Sequence, residues 1–230
     1  MRPLVVGHRG ASAYALENTR ESFLQAVQMG SDMIELDVNE SQDRQFIVIH
    51  DRDLSRVSGK KYIIHKTHSQ VLQSAELHNK ERLLLLHEVF KLLPATLGII
   101  VELKCIRSLQ KMGDFVATGL KERDVILTSF DLSLLKRIQE YSPGVPLGVV
   151  SRSLSNIAKA RRMGINFDIV CLDFQSLNPR TINELRFHQM RIFAWTVDRI
   201  EDIRRMIKLG IDGIISNRPD SVRQILRDFN

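Results

Sequence analysis

Residues 33–51 read MIELDVNESQDRQFIVIHD, two apolar runs on either side of a polar centre. Met33–Val38 and Phe46–Ile49 are each the length and composition of a buried strand. A parallel return between them would need a crossover of about a dozen residues, and the stretch from Val38 to Phe46 is too short for one. Phe46–Ile49 must therefore come back antiparallel, as the second arm of a hairpin turning near Gln42–Arg44. That makes it an extension standing on a sheet.

Outward from this hairpin, further short apolar runs recur. They are Leu4–Val6 before it, then Leu97–Leu103, Val125–Leu127, Pro146–Val150, Ile169–Leu172, Ile192–Val197 and Ile211–Ile215 after it. Helical patterns lie between most of them. Near-continuous apolar strands alternating with helices indicate parallel strands covered on both faces. With Phe46–Ile49 set aside, eight parallel strands remain. The expected fold is α/β, one (β/α)8 TIM barrel forming a single domain over residues 1–230. Residues 39–82 form a hairpin and insertion above it, between the second and third barrel strands. The part from Arg52 to Arg82 is a long excursion, and such excursions in compact domains are functional or poorly ordered.

The helices carry end signals. Asn18 with Glu21 reads as a capping box, with Phe23, Ala26 and Val27 on the inner stripe. Asn178-Pro179 sets a cap before a first-turn proline. Asp198 with Glu201 opens a helix that buries Ile203, Met206 and Ile207 and stops at Gly210. Pro219 starts the last helix.

The chain has 230 residues, 43% hydrophobic and 26% charged, which is ordinary for a soluble globular protein. Its two cysteines, Cys105 and Cys171, are too few for a disulfide framework. Both flank apolar runs and are expected to be buried free thiols in a reducing compartment. Neither a signal peptide nor a membrane-spanning run is visible, so a cytoplasmic location without stable membrane insertion is expected. The net charge of +6 comes in part from Lys159-Ala160-Arg161-Arg162 and Arg204-Arg205. Those runs interleave with apolar positions at helical spacing and read as solvated helix faces, which argues against a nucleic-acid partner.

In a barrel of this kind the site lies at the C-terminal ends of the strands. The first strand ends in Gly7-His8-Arg9-Gly10, the second carries Glu35 and Asp37, the third carries Glu102 and Lys104, and the hairpin arm ends in His50-Asp51. Glu35 and Asp37 are two apart, so both face one side. Two buried carboxylates on one face repel unless a proton or a cation lies between them. An all-carboxylate cluster suits a hard cation, Mg2+ or Ca2+. If the hairpin folds about Asp43, His50 returns opposite Leu36, level with the carboxylates. His8 and His50 would then flank one cation, a constellation suited to phosphate-ester hydrolysis. Arg9 and Lys104 would hold phosphate, one histidine would take a proton from the attacking hydroxyl or water, and the other would protonate the leaving alkoxide.

At His8-Arg9-Gly10, Glu17-Asn18-Thr19, Glu35-Leu36-Asp37, His50-Asp51 and Glu102-Leu103-Lys104 the chain resembles the glycerophosphodiester phosphodiesterase family. Ser129-Phe130, Trp195-Thr196-Val197-Asp198 and Gly210-Ile211-Asp212-Gly213-Ile214-Ile215 look like that family's later motifs. The resemblance implies a metal-dependent barrel that cleaves deacylated phospholipids to sn-glycerol 3-phosphate and an alcohol such as choline or ethanolamine. It implies Glu35, Asp37 and Glu102 as ligands of one divalent cation, His8 and His50 as the acid–base pair, and Arg9 and Lys104 as phosphate contacts. Trp195 would line the pocket, where its face could meet glycerol or a choline-like cation. The chain departs from the family at Leu16, where proline is usual, and at Asp43-Arg44, where Asp-Gly is usual. It departs again at Leu84–His87, and at Asn217, where aspartate is common.

Other readings attach to single residues. Glu102 and Lys104 could simply pair with each other. Asp51 could cap the following turn, and Glu17 and Asn18 read as structural. His65, His68, His78, His87 and His188 read as surface residues, the first three too loosely spaced for zinc. An enlarged, lysophospholipid substrate would call for an apolar rim at Tyr62, Ile63 and Ile64. A binding-only barrel would lack one of His8, Glu35, Asp37, His50 or Glu102, and all five are present.

Overall fold

A computed structural model of the chain describes residues 2–121 and 123–229. Its sheet contains nine strands: β1 (Leu4–His8), β2 (Met33–Glu40), β3 (Phe46–Val48), β4 (Gly98–Cys105), β5 (Val125–Ser129), β6 (Leu147–Ser151), β7 (Ile169–Asp173), β8 (Arg191–Trp195) and β9 (Gly213–Ser216). The order is β1-β9-β8-β7-β6-β5-β4-β2, all parallel, and β1 also pairs with β2, so eight strands close on themselves. Closure leaves no open edge in the barrel. Helices follow the strands and form the outer ring, with their apolar stripes against the outward strand residues.

The ninth strand, β3, lies antiparallel on β2 and pairs Val38 with Val48, Asn39 with Ile47 and Glu40 with Phe46. The Ile49 amide donates to the Asp37 carbonyl at 2.9 Å, which continues that register one residue past β3 toward His50. The tip closes without glycine: Arg44 takes a φ of +62, and its guanidinium pairs with Glu40 at 3.0 Å. Asp43 accepts from the Ser69 amide and hydroxyl at 2.8 and 2.6 Å, and these bonds hold its carboxyl down at about 2.

The excursion after β3 is ordered. It contains a turn of helix at Ser55–Ser58 and a short helix at Ser69–Ser74. It also has its own small core, in which Leu54, Val57, Ile64, Leu72 and Leu77 pack against Ile47 and Ile49 of the hairpin arm. Ile64 belongs to that core and is buried, whereas Tyr62 and Ile63 are exposed. The apolar rim expected at Tyr62–Ile64 is thus reduced to two side chains.

Three local expectations are corrected. Thr19, not Asn18, caps the helix Arg20–Gln28, and its capping-box partner is Ser22 rather than Glu21. The helix Ile200–Lys208 is flanked by Arg199 without a side-chain cap, because Asp198 is engaged elsewhere. Cys105 is exposed, at the end of β4 where the strand clears the barrel, while Cys171 is buried as expected. Asn178 and Pro179 do cap and start the helix Pro179–Phe187.

The barrel interior explains where the site sits. Val6, Met33, Ile100, Ile126, Val150, Ile169, Cys171, Phe193 and Ile215 form one buried cluster. They come from eight different strands and all point inward. Gly213 leaves room for the largest of them, since a Cβ there would meet the Phe193 ring at 2.2 Å. Side chains two residues further along a strand share its face. The step beyond this floor is therefore His8, Glu35, Glu102, Thr128, Arg152 and Trp195, and beyond Glu35 and Glu102 come Asp37 and Lys104.

Candidate active site

A cavity of about 150 Å3 opens above that floor, lined by His8, Arg9, Glu35, His50, Glu102, Lys104, Phe130, Arg152 and Trp195 among others. Seven of the eight residues expected to form a site are in this wall. Asp37, the eighth, is fully buried and reaches the same cluster from behind.

The carboxylates of Glu35, Asp37 and Glu102 each offer an oxygen, and the three oxygens lie within 4.8 Å of one another. Their neighbours do not neutralise them evenly. Asp37 has Arg9 Nε at 3.0 Å, Lys104 Nζ at 3.0 Å and the Asn18 amide, which donates to Oδ2 at 3.0 Å. Those cations hold its carboxyl below the usual range against its burial. Glu102 pairs closely with Lys104. Lys104 thus bridges two carboxylates, rather than closing a private pair with Glu102. Glu35 receives only the Arg9 backbone N–H on Oε2, at 3.0 Å, and its Oε1 is buried with no hydrogen-bond partner. Burial, with Asp37 and Glu102 beside it, pushes the Glu35 carboxyl well above the usual range. Glu102 is pushed up by burial and by Asp37 beside it. A buried oxygen left without a donor among three carboxylates is what a hard cation's ligand set requires, so these residues fit one.

The loop after β1 is bent to serve this cluster. Arg9 and Asn18 have φ of +54 and +58, a region costly for residues other than glycine and kept where surroundings enforce it. The bend aims the Arg9 amide at Glu35 and its side chain at Asp37 and Glu17. Gly10, at φ +86, passes so close to the next helix that a Cβ would sit 2.5 Å from the Ser22 backbone. Asn18 is drawn to Asp37 from both sides, its Nδ2 donating to the carboxylate and its Oδ1 accepting from the Asp37 N–H.

The two histidines stand in different settings. His8 Nδ1 lies 2.6 Å from Asn217 Oδ1, and its Nε2 lies 3.9 Å from Glu35 Oε2. Asn217 in turn donates from Nδ2 to Asp198 Oδ2 at 2.6 Å, and the Ser12 hydroxyl donates to Asn217 Oδ1. Burial, then the nearby Arg9 charge, lowers the His8 pKa below its ordinary value. His50 is more open, and its Nδ1 meets Asp51 Oδ1 at 2.8 Å. Asp51 is also held by Arg56, which ties Glu17 into the same network. The turn after it is capped by Asp53, which accepts from the Ser55 amide, so Asp51 serves His50 instead.

Four residues of the site were not singled out from the sequence. Asn217 and Asp198 lie in recognisable motifs, but Asn217 meets His8 across 209 positions of chain and Asp198 acts through Asn217. Phe130 stacks edge-on against Trp195 at 5.5 Å. Arg152 places its guanidinium 5.9 Å from the centroids of both rings. Arg152 follows an apolar strand as Arg9 follows β1, and that placement was the available signal. Trp195 itself donates its indole N–H to the Cys171 carbonyl at 2.9 Å, which fixes the ring. Among the described residues, the three carboxylates form the only grouping suited to a metal ion, and the dispersed histidines of the excursion form none.

The sequence model of the glycerophosphoryl diester phosphodiesterase family matches residues 8–221. The chain is 32% identical to YhdW of Bacillus subtilis over 234 residues, covering 95% of this chain and 96% of that one. It is 28% identical to the glycerophosphodiester phosphodiesterase of Caldanaerobacter subterraneus subsp. tengcongensis, covering 99% of each. Among solved structures, the glycerophosphodiester phosphodiesterase of Thermotoga maritima superposes with a TM-score of 0.82 at 27% identity, covering 98% of this chain and 99% of that one. An Oleispira antarctica phosphodiesterase, solved in complex with the product sn-glycerol-3-phosphate, shares the fold at a TM-score of 0.87 and 21% identity, covering 99% and 97%.

Proposed function

The chain belongs to the glycerophosphoryl diester phosphodiesterase family, and from that premise we propose that it hydrolyses glycerophosphodiesters to sn-glycerol 3-phosphate and an alcohol through the cavity at His8, Glu35 and His50. The observation that carries the reading is the buried Glu35 oxygen without a donor, one of three clustered carboxylates at a cavity that His8 and His50 also line. Glu35, Asp37 and Glu102 would hold one divalent cation, Mg2+ or Ca2+. A bound cation would supply positive charge to the phosphate oxygens.

The protein's own groups account for the proton transfers. A carboxylate oxygen only accepts, so Asn217 must present its Nδ2 to Asp198 and its Oδ1 to His8. His8 then carries its proton on Nδ1 and keeps a lone pair on Nε2. A lowered pKa keeps that ring neutral near pH 7, the state a general base needs. His8 takes a proton from the attacking water as the new P–O bond forms. His50 gives Nδ1–H to Asp51 and delivers a proton from Nε2 to the alkoxide as the old P–O bond breaks. Arg9 and Lys104 steady the phosphate by charge, and Trp195 forms a wall against the glycerol. The exposed free thiol of Cys105 suits a reducing compartment, and we assign the reaction to the cytoplasm.

The test is release of sn-glycerol 3-phosphate from glycerophosphocholine and glycerophosphoethanolamine with Mg2+, with Ca2+ and with EDTA. Release should require the cation. His8→Ala and His50→Ala should each lower kcat about 10²- to 10⁴-fold with the circular dichroism spectrum unchanged. Wild-type turnover in either variant removes that histidine from the pair, and turnover that survives EDTA removes the cation.

A further inference from the structure

The cavity continues past the carboxylates. Beyond His50, Glu102 and Lys104 a channel of about 360 Å3 runs by Phe130 and Asp131. It shares Asn39, Arg52, Lys104, Cys105 and Asp131 with an outer groove of about 370 Å3. That groove receives Arg52 from the excursion, Arg137 from the helix Leu132–Tyr141, and His65. Arg52 and Arg137 are exposed, and neither has an ion pair or side-chain hydrogen bond among the described residues. The contrast within the excursion is plain: Arg56 is held by Glu17 and Asp51, and Arg82 by Glu88. Asp131 is the carboxylate in the groove wall. Its Oδ1 already accepts from the Ser133 and Leu134 amides at 2.9 and 3.2 Å.

Two permanently charged guanidinium groups from separate elements therefore face one groove without a partner. A phosphate supplies the negative charge that both lack and accepts in the planar geometry guanidinium offers. The inner cavity and the channel share His50, Glu102, Lys104 and Phe130, so an alcohol leaving from the inner cavity has a path along the channel toward this groove. A cationic alcohol gains little from the aromatic wall, because Arg152 already lies against the Trp195 and Phe130 rings.

We propose that the groove bounded by Arg52 and Arg137 is a second phosphate subsite, and that the preferred substrates are glycerophosphodiesters whose leaving alcohol carries a further phosphate. The proposal rests on the phosphodiesterase reading above. It is a statement about specificity, since the bond cleaved is the same.

A matched pair of substrates tests it. Release of sn-glycerol 3-phosphate is measured from glycerophosphoinositol phosphate, glycerophosphoinositol and glycerophosphocholine, with the whole protein and saturating divalent cation. The expected kcat/KM for the phosphorylated inositol ester exceeds that for the unphosphorylated one by about 10-fold or more, mostly through KM. That preference should weaken as ionic strength rises. In the Arg52→Gln/Arg137→Gln double variant the ratio should fall to within about threefold of unity, as the charge-assisted bonds are lost. Both positions are exposed, so the variant should keep the wild-type melting curve. A wild-type ratio near one, or a preference that survives in the double variant, overturns the subsite while leaving the phosphodiesterase reading intact. Turnover of none of the three esters by folded protein overturns that reading, and the subsite with it.

Discussion

Asn217 Nδ2 donates to Asp198 at 2.6 Å while its backbone N–H donates to the other oxygen of the same carboxylate at 2.8 Å, so the amide is fixed at both ends. Its remaining oxygen can only accept, and it accepts from His8 and from the Ser12 hydroxyl. Removing that acceptor leaves a buried ring N–H without a partner and lets the imidazole turn or change tautomer. Losing one such bond is worth about 1–3 kcal/mol. Asn217→Ala should therefore lower kcat about 10- to 100-fold, with KM little changed. Asn217→Asp, which keeps an acceptor for Nδ1–H, should retain more activity than the alanine. Steady-state kinetics on one glycerophosphodiester decides this, and an alanine variant with wild-type kcat would show that His8 needs no such anchor. At this scale the sequence was partly legible. Carboxylates two apart on an apolar strand share one face, and Glu35 and Asp37 do meet Glu102 in one cluster. Asn217 reaches His8 only because β9 closes against β1, and no local period encodes that closure. Asn18 resembled a cap by spacing alone, but the buried Asp37 needs donors more than the helix needs that particular cap.

The hairpin and excursion form an element with its own core, and that core positions Asp51, Arg52 and Arg56 at the cavity mouth. Ile64 is buried in it beside Leu54 and Leu72, and its N–H donates to the Arg52 carbonyl at 2.9 Å. Ile64→Ala should remove about 2–4 kcal/mol of local packing. Because this cluster is separate from the main one around the barrel, the loss should appear as opening of residues 52–82 before global unfolding. Hydrogen exchange should show faster amides there and unchanged protection in β4 to β9. Uniform loss of protection would mean that the excursion and barrel form one cooperative unit. The element also shows why reading β3 as a hairpin arm succeeded where its tip did not look like a turn. The interval from Val38 to Phe46 excludes a crossover whatever residues fill it. The usual Asp-Gly signal is absent because Arg44 accepts the left-handed conformation and is held there by Glu40. Glu40 is itself locked by the Arg107 and Ser108 amides, each at 2.7 Å. Those are contacts to a loop more than sixty residues away, beyond the reach of any turn preference. The order of the excursion, with its buried Ile64, was likewise hidden because its partners Ile47 and Ile49 belong to another element.

Across the whole molecule the barrel gathers the inward residues of eight strands into an apolar floor and places one concentration of negative charge directly above it. The surplus of basic residues lies elsewhere: Lys159, Arg161, Arg162 and Arg204 are exposed on outer helix faces, as their spacing indicates. They do nothing for the carboxylates, which rely on Arg9 and Lys104 for charge and leave Glu35 short of it. The fold therefore bears a standing electrostatic cost at Glu35 whenever no cation is bound. A carboxyl whose folded pKa is raised is protonated in both states below about 4.5 and there contributes no penalty. As pH rises, the unfolded chain ionises freely while the folded one resists, so stability is lost through the interval up to the raised pKa. Glu35→Gln has no proton to lose. With EDTA present, its melting temperature should match the wild type at acid pH, and its advantage should widen as pH rises toward neutrality. Saturating Mg2+ or Ca2+ should reverse the order near pH 7. A cation at about 100 times its Kd stabilises the wild type by about 2.7 kcal/mol, and the variant has given up one of its three carboxylate ligands. Melting curves over pH, with chelator and with each cation, read this directly. A wild type that stays as stable as the variant at every pH in EDTA would mean that Glu35 is already neutralised by the protein, and that the cluster has no electrostatic need of a cation.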